Sequence, residues 1–230
     1  MSASCKPRVQ LFVDTGNVTA SDHIRVHGVT TSSDLNLEKH VLKTYAAGFY
    51  WLCQLRHVRR WLDENWQQLL CMLSWRHGLI IATLYLGALK TITDKLQRVL
   101  NAAALVISDT TKFDRGLSIH LRDKLHWLEV PERVTFKLGL VTHRCLHEQA
   151  PWYLAEHITP VIEVASRHQL RSANRHRLIV PRCRLNTYDR WAFLVAGTSV
   201  WNSLPDELRD PACDIDSFKQ FFKTILFSQY

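Results

Sequence analysis

Apolar side chains recur at helical spacing over most of this chain, and four stretches read clearly. From Leu37 to about Leu62 the repeating positions are Leu42, Tyr45, Ala46, Phe49, Tyr50, Leu52, Cys53 and Leu55. Asp34 or Asn36 can cap that helix, and Glu38 suits its first turn. Thr93-Asp94 reads as the N-cap of a second helix, running to about Ile107 with Leu96, Val99, Leu100, Ala103 and Val106 along one face. Pro131-Glu132 opens a third, through Leu138, Val141 and Cys145, since proline is tolerated in a first turn. Ser217 or Asp216 caps a closing amphipathic helix with Phe218, Phe221, Phe222 and Leu226.

Shorter signals fill the intervals. Asp63-Glu64 opens a helix through Leu70, and further short helices are expected at residues 118–125 and 152–156. Residues 192–202 gather apolar side chains around Gly197. Alternation predicts strands at Val9–Val13 and His23–His27, with a turn at Asp14-Thr15-Gly16-Asn17. Leu178-Ile179-Val180 is another strand candidate, which Pro181 confines to an edge. The expected fold is therefore mainly α with a few short strands.

Composition narrows the functional classes. A hydrophobic share of 47% suffices for a buried core and argues against wholesale disorder. Six scattered cysteines without a CxxC pair suggest neither a zinc module nor a disulfide framework. No apolar run reaches the length of a membrane-spanning helix, so no membrane partner is expected. An excess of 29 Lys+Arg over 21 Asp+Glu favours a polyanionic partner.

That excess is concentrated. Arg167, Arg171, Arg175, Arg177, Arg182, Arg184 and Arg190 fall within residues 167–190, opposed there only by Asp189. Guanidinium groups bind phosphate bidentately and stack on bases, so this segment is a candidate nucleic-acid contact. The competing reading is a solvated loop whose arginines pair with carboxylates elsewhere. Arg56, Arg59 and Arg60 form a second candidate, although cations also suit the C-terminal end of a helix without any ligand. Arg98 completes the set of expected contacts.

Catalytic and metal signatures are weak. His143 and His147 stand one turn apart with Cys145 between them, but a zinc site needs further ligands, and incidental histidines on a core-edge helix are the simpler reading. The sequence contains no nucleophile elbow, P-loop or dinucleotide fingerprint, and no paired aspartates of the kind that hold two metals for nucleotidyl transfer. No cofactor is expected. His126-Trp127-Leu128, Trp191 and Trp201 read as core anchors rather than base platforms.

A series of motifs is similar, in order, to the region after the polymerase core of non-LTR (LINE-type, jockey-related) retrotransposon reverse transcriptases. It comprises the run from Asp94 to Ala104, Leu125 to Arg133, His143-Arg144-Cys145-Leu146-His147 and Ala150-Pro151-Trp152-Tyr153-Leu154. Leu170-Arg171-Ser172-Ala173, Val180-Pro181-Arg182, Val200-Trp201-Asn202-Ser203-Leu204-Pro205 and Ser217-Phe218-Lys219 continue it. Upstream, Val26–Thr30 and Leu37–His40 resemble the strand and helix start after the palm.

This resemblance implies a remnant of palm-edge strands at 1–36, thumb-like helices at 37–90 and a helical C-terminal domain at 91–230. The family's catalytic aspartates would lie before Met1, so the implied protein is non-catalytic and binds RNA or an RNA–DNA hybrid. The alternatives are a helical interaction or structural protein, or a decayed element copy. An intracellular setting, nucleus or cytoplasm, follows only from the family. Leu105, Asp189, Trp191 and Thr198 depart from the family's usual residues, and Trp75–Leu89 departs most. A pair of compensating frameshifts would account for His77–Thr83; codons lacking an out-of-frame Ser-Arg-Val-Asp-Tyr-Cys-Asn would refute it.

Overall fold

The computed structural model describes residues 10–13, 16–19, 22–26, 29–32, 38–58, 61, 90–108, 125–163, 175–181 and 193–228. The expected helices at 63–70 and 118–125, the segment 75–89 and most of the arginine-rich stretch lie outside them. Helices dominate the described residues, with a few short strands, as the apolar spacing implies.

Two antiparallel hairpins come first. Strand β1 (Gln10–Val13) pairs with β2 (Gly16–Thr19), and β3 (His23–Val26) with β4 (Val29–Ser32). Gly16 and Asn17, read above as turn residues, belong to β2, whose polar Gly-Asn start hides its strand character.

Helices α1 (Glu38–Val58) and α2 (Lys90–Ser108) pack together. Val41, Leu52 and Leu55 of α1 meet Leu96, Val99, Leu100, Ala103, Ala104 and Ile107 of α2, with Val29, Trp127 and Val130 closing the cluster. A lateral stripe of this kind is what helical apolar spacing generates. Buried His40 receives the Thr30 N–H at Nδ1 over 3.4 Å, which ties β4 to α1. Helix α2 starts at Lys90, so Thr93 and Asp94 lie inside it rather than capping it. Neither proline nor glycine interrupts residues 90–94, and a cap preference of roughly 1 kcal/mol does not outweigh helix continuation.

The second cluster is built on α3 (Val130–Leu146), with the short α4 (Trp152–Ala155), α5 (Phe193–Ser203) and α6 (Ile215–Ser228). Trp201, Phe218, Phe222, Leu226, Leu178, Leu204 and Leu208 fill it. Gly139 of α3 lies against Phe222, and Gly197 of α5 against Thr142 and Phe193, so the helices cross where a side chain is missing. Helix α6 is capped by Asp214, whose carboxylate accepts the Asp216 and Ser217 N–H groups at 3.0 and 3.2 Å. Ser217 and Asp216, the expected caps, are instead inside the first turn.

Gln97 joins the two clusters. Its Oε1 accepts the Val130 N–H at 2.9 Å while its Nε2 donates to Asn101 Oδ1 at 2.9 Å. The same junction holds Arg133, whose Nε donates to Leu128 O at 2.7 Å and whose guanidinium lies 5.8 Å from the Trp127 ring centre. Burial lowers the Arg133 pKa to about 10, against the opposing pull of Glu132.

Candidate nucleic-acid interface

The described part of the arginine-rich stretch, residues 175–181, is held in place from α5. Asn202 grips Leu178 twice: its Oδ1 accepts the Leu178 N–H and its Nδ2 donates to the Leu178 carbonyl, each at 2.8 Å. The indole N–H of Trp201 donates to His176 O at 2.9 Å. On the other side Val161 N donates to Arg177 O at 2.9 Å and Ile179 N to Thr159 O at 3.0 Å. Leu178 is buried, so it anchors the segment by packing as well.

The expected strand at 178–180 is therefore a correction. Among the described residues only a single antiparallel bridge forms, Pro160 to Leu178, because the partner segment turns into a 3-10 helix at Val161–Glu163, while the Asn202 amide takes the Leu178 groups on the far edge.

Between the two arginines His176 has φ 49, a left-handed conformation that turns the chain sharply. Arg175, on one side of the turn, lies with its Nε 4.0 Å from Asp206 Oδ2. Arg177, on the other, has a buried Nε without a hydrogen-bond partner.

A third guanidinium completes the group. After α5, Pro205 precedes a 3-10 turn, Asp206–Arg209, that buries Arg209 to 3% exposure. Its Nη1 donates to Asn202 O at 3.0 Å and its Nη2 to Asp206 Oδ1. Its Nε, like that of Arg177, is buried without a partner. An unmatched buried donor costs roughly 1–3 kcal/mol. Burial pulls the Arg209 pKa below its ordinary value, and the charges of Arg177 and then Arg175 pull it further the same way. Two of these cations, Arg175 and Arg209, thus share Asp206, itself 58% exposed, while Arg177 acts on Arg209 through its charge. Counting exposed Glu207 beside it still leaves an excess of positive charge.

Two of the other expected contacts lie on the first helix pair. Arg98 is exposed on α2, one turn beyond Lys95, which pairs with Glu38 at 3.9 Å. Arg56 is exposed in the last turn of α1, on the order of 27 Å along the helix from Glu38 at 1.5 Å per residue. These two do not converge. Arg59, Arg60, Arg167, Arg171, Arg182, Arg184 and Arg190 lie outside the described residues.

Arg209 and Asp206 carried no sequence signal as site residues. Asp206-Glu207 followed by Arg209 reads as an ordinary polar turn, and only the burial of Arg209 in the folded chain reveals that the guanidinium is enclosed.

Trp127 and Trp201 are buried, as expected of core anchors, while His126 is exposed with its ring edge-on to Phe227 at 6.4 Å. Trp191 lies outside the described residues. His143 and His147 direct their nitrogens at carbonyl oxygens: His143 Nε2 at Cys213 O, 3.0 Å, and His147 Nδ1 and Nε2 at His143 O and Pro211 O, 2.9 and 3.2 Å. Among the described residues no group of three or more metal-ligating side chains is gathered.

Comparisons with protein-family models, with curated proteins and with solved structures find no match for this chain.

Proposed function

We propose that this chain is a non-catalytic fragment of a LINE-type reverse transcriptase that binds RNA or an RNA–DNA hybrid through arginine-rich surfaces. The observation that carries the reading is the meeting of Arg175 and Arg209 at one exposed carboxylate, with Arg177 near enough for its charge to act on Arg209. Like charges crowd at a cost, and a polyanion relieves it by replacing water with phosphate oxygens. The ordered motif series supports the family origin, and several of its residues are structural: Gln97, Trp127, Trp201 and Asn202 fix backbone or core. The non-catalytic part rests on the lack of paired aspartates in the sequence.

Fluorescence anisotropy at low ionic strength tests the reading, with labelled single-stranded RNA, RNA–DNA hybrid and duplex DNA in parallel. Saturable binding of RNA or the hybrid is expected. Metal-dependent primer extension by the chain alone would overturn the non-catalytic assignment.

A second reading, a helical protein-interaction module, has its own observation. Tyr50 and Trp51 of α1 and nearby Trp61 are 59%, 53% and 88% exposed, large aromatic surfaces of a kind that interfaces use. A self-association or pull-down phenotype that disappears on Trp51→Ala, with no RNA binding, would favour it.

A further inference from the structure

We infer that Arg175, Arg177 and Arg209 form a pocket for a single phosphate group, with Asp206 as an internal counter-ion that the phosphate displaces. The inference rests on the polyanion-binding reading above and deepens it by naming the ligand group and a buried anchor.

Donor arithmetic favours phosphate. A guanidinium has five N–H donors, and Arg209 directs its Nη1 at Asn202 O and its Nη2 at Asp206. Its Nε–H and that of Arg177 are both buried and both lack acceptors. A tetrahedral phosphate offers several oxygens within a small volume and can accept from more than one guanidinium at once. The planar carboxylate of Asp206 already accepts from Arg209 and stands 4.0 Å from Arg175 Nε, too far for a hydrogen bond.

The pocket is preorganised. Arg209 is enclosed on its turn, and residues 175–178 are tied to α5 through Trp201 and Asn202. Little side-chain freedom remains to be lost at Arg209 when a ligand arrives. Asp206 is the exposed partner, at 58% on a short turn. Its charge competes with the ligand, which gives the inference a test of distinctive sign.

The experiment follows the arginine Nε–Hε cross-peaks of the full chain by proton–nitrogen correlation NMR during titration with inorganic phosphate, against chloride at matched ionic strength. Saturable shifts of the Arg177 and Arg209 peaks with phosphate alone are expected. Asp206→Asn, at an exposed position, is expected to tighten phosphate binding roughly two- to fivefold, the size of one partly exposed charge pair. Arg175→Ala should weaken it by a similar factor. Arg209→Ala is not needed, so a variant that fails to fold cannot obscure the result. Equal shifts in chloride and phosphate, or weaker binding by Asp206→Asn, would overturn the pocket. A parallel titration with a 12-nucleotide oligouridylate separates the two levels. RNA binding that leaves both peaks in place refutes the pocket alone; phosphate binding without RNA binding refutes the function and leaves the pocket standing.

Discussion

His143 in the last turn of α3 and His147, its C-cap, stack face to face, ring centres 4.0 Å apart and planes 15° apart. His143 also meets the Phe218 ring, tilted by 33° at 4.4 Å, and is 1% exposed. Burial lowers its pKa below 6.5; the Cys213 carbonyl bond and Asp214 oppose that shift, and His147 adds to it. The unfolded chain therefore binds more protons than the native one just below 6.5, so stability rises with pH across that window. The contribution is complete above the unfolded value and is lost as pH falls through the folded one.

Urea unfolding between about pH 5 and pH 7.5 checks this. The midpoint is expected to fall on acidification, and His143→Gln should flatten the dependence while lowering stability throughout. An unchanged slope in the variant would assign the pH effect to other groups.

Gly139 tests the helix crossing. A Cβ there would meet Phe222 Cε1 at 2.5 Å, closer than real contacts allow. Gly139→Ala is expected to destabilise by about 1–3 kcal/mol, the usual cost of overpacking, despite alanine's better helix propensity. Thermal denaturation of the variant gives the sign, and a gain in stability would mean that Phe222 moves aside freely.

Asn202 tests the scaffold beneath the arginines. Asn202→Ala removes both bonds to Leu178, a loss of about 1–3 kcal/mol. Hydrogen exchange should quicken most at the Leu178 amide, and at Ile179, whose N–H bonds to Thr159 O. Uniform acceleration across α5 and α6 would instead indicate global destabilisation.

Asp214 tests the cap of α6. Its carboxyl pKa lies below 3.8 because the Ser217 hydroxyl donates to it, followed by the Ser217 and Asp216 backbone groups. The stabilisation is present above the unfolded value and is lost as pH falls through the folded one. Asp214→Ala should lower helicity and the thermal midpoint at neutral pH but narrow the gap to the native chain in strong acid. A gap independent of pH would contradict the cap.

The long helices were legible because they bury one stripe, so their apolar spacing survives in the sequence. Leu96, Val99, Leu100 and Ala103 of α2 are the clearest case. Helix ends were less so: Thr93 and Asp94 have cap chemistry, yet α2 begins at Lys90, and Asp214 caps α6 in place of its neighbours. Strand β2 was hidden by Gly16-Asn17, residues that serve turns as readily as a hairpin start. Leu178-Ile179-Val180 has strand composition, but its partner segment turns into a 3-10 helix at Val161, and a side-chain amide occupies the far edge of Leu178. At the candidate site, Arg175 and Arg177 stood out by local density. Arg209 did not, because its role depends on burial and on two arginines more than 30 positions upstream, which no local pattern records.

The most direct test of the account is the salt dependence of single-stranded RNA affinity. Contacts to about four to six phosphates predict a slope of log affinity against log salt near −3 to −4. Neutralising Arg171, Arg175 and Arg182 together is expected to make it shallower. No binding at low salt, or a slope unchanged by those substitutions, would contradict nucleic-acid binding through this surface.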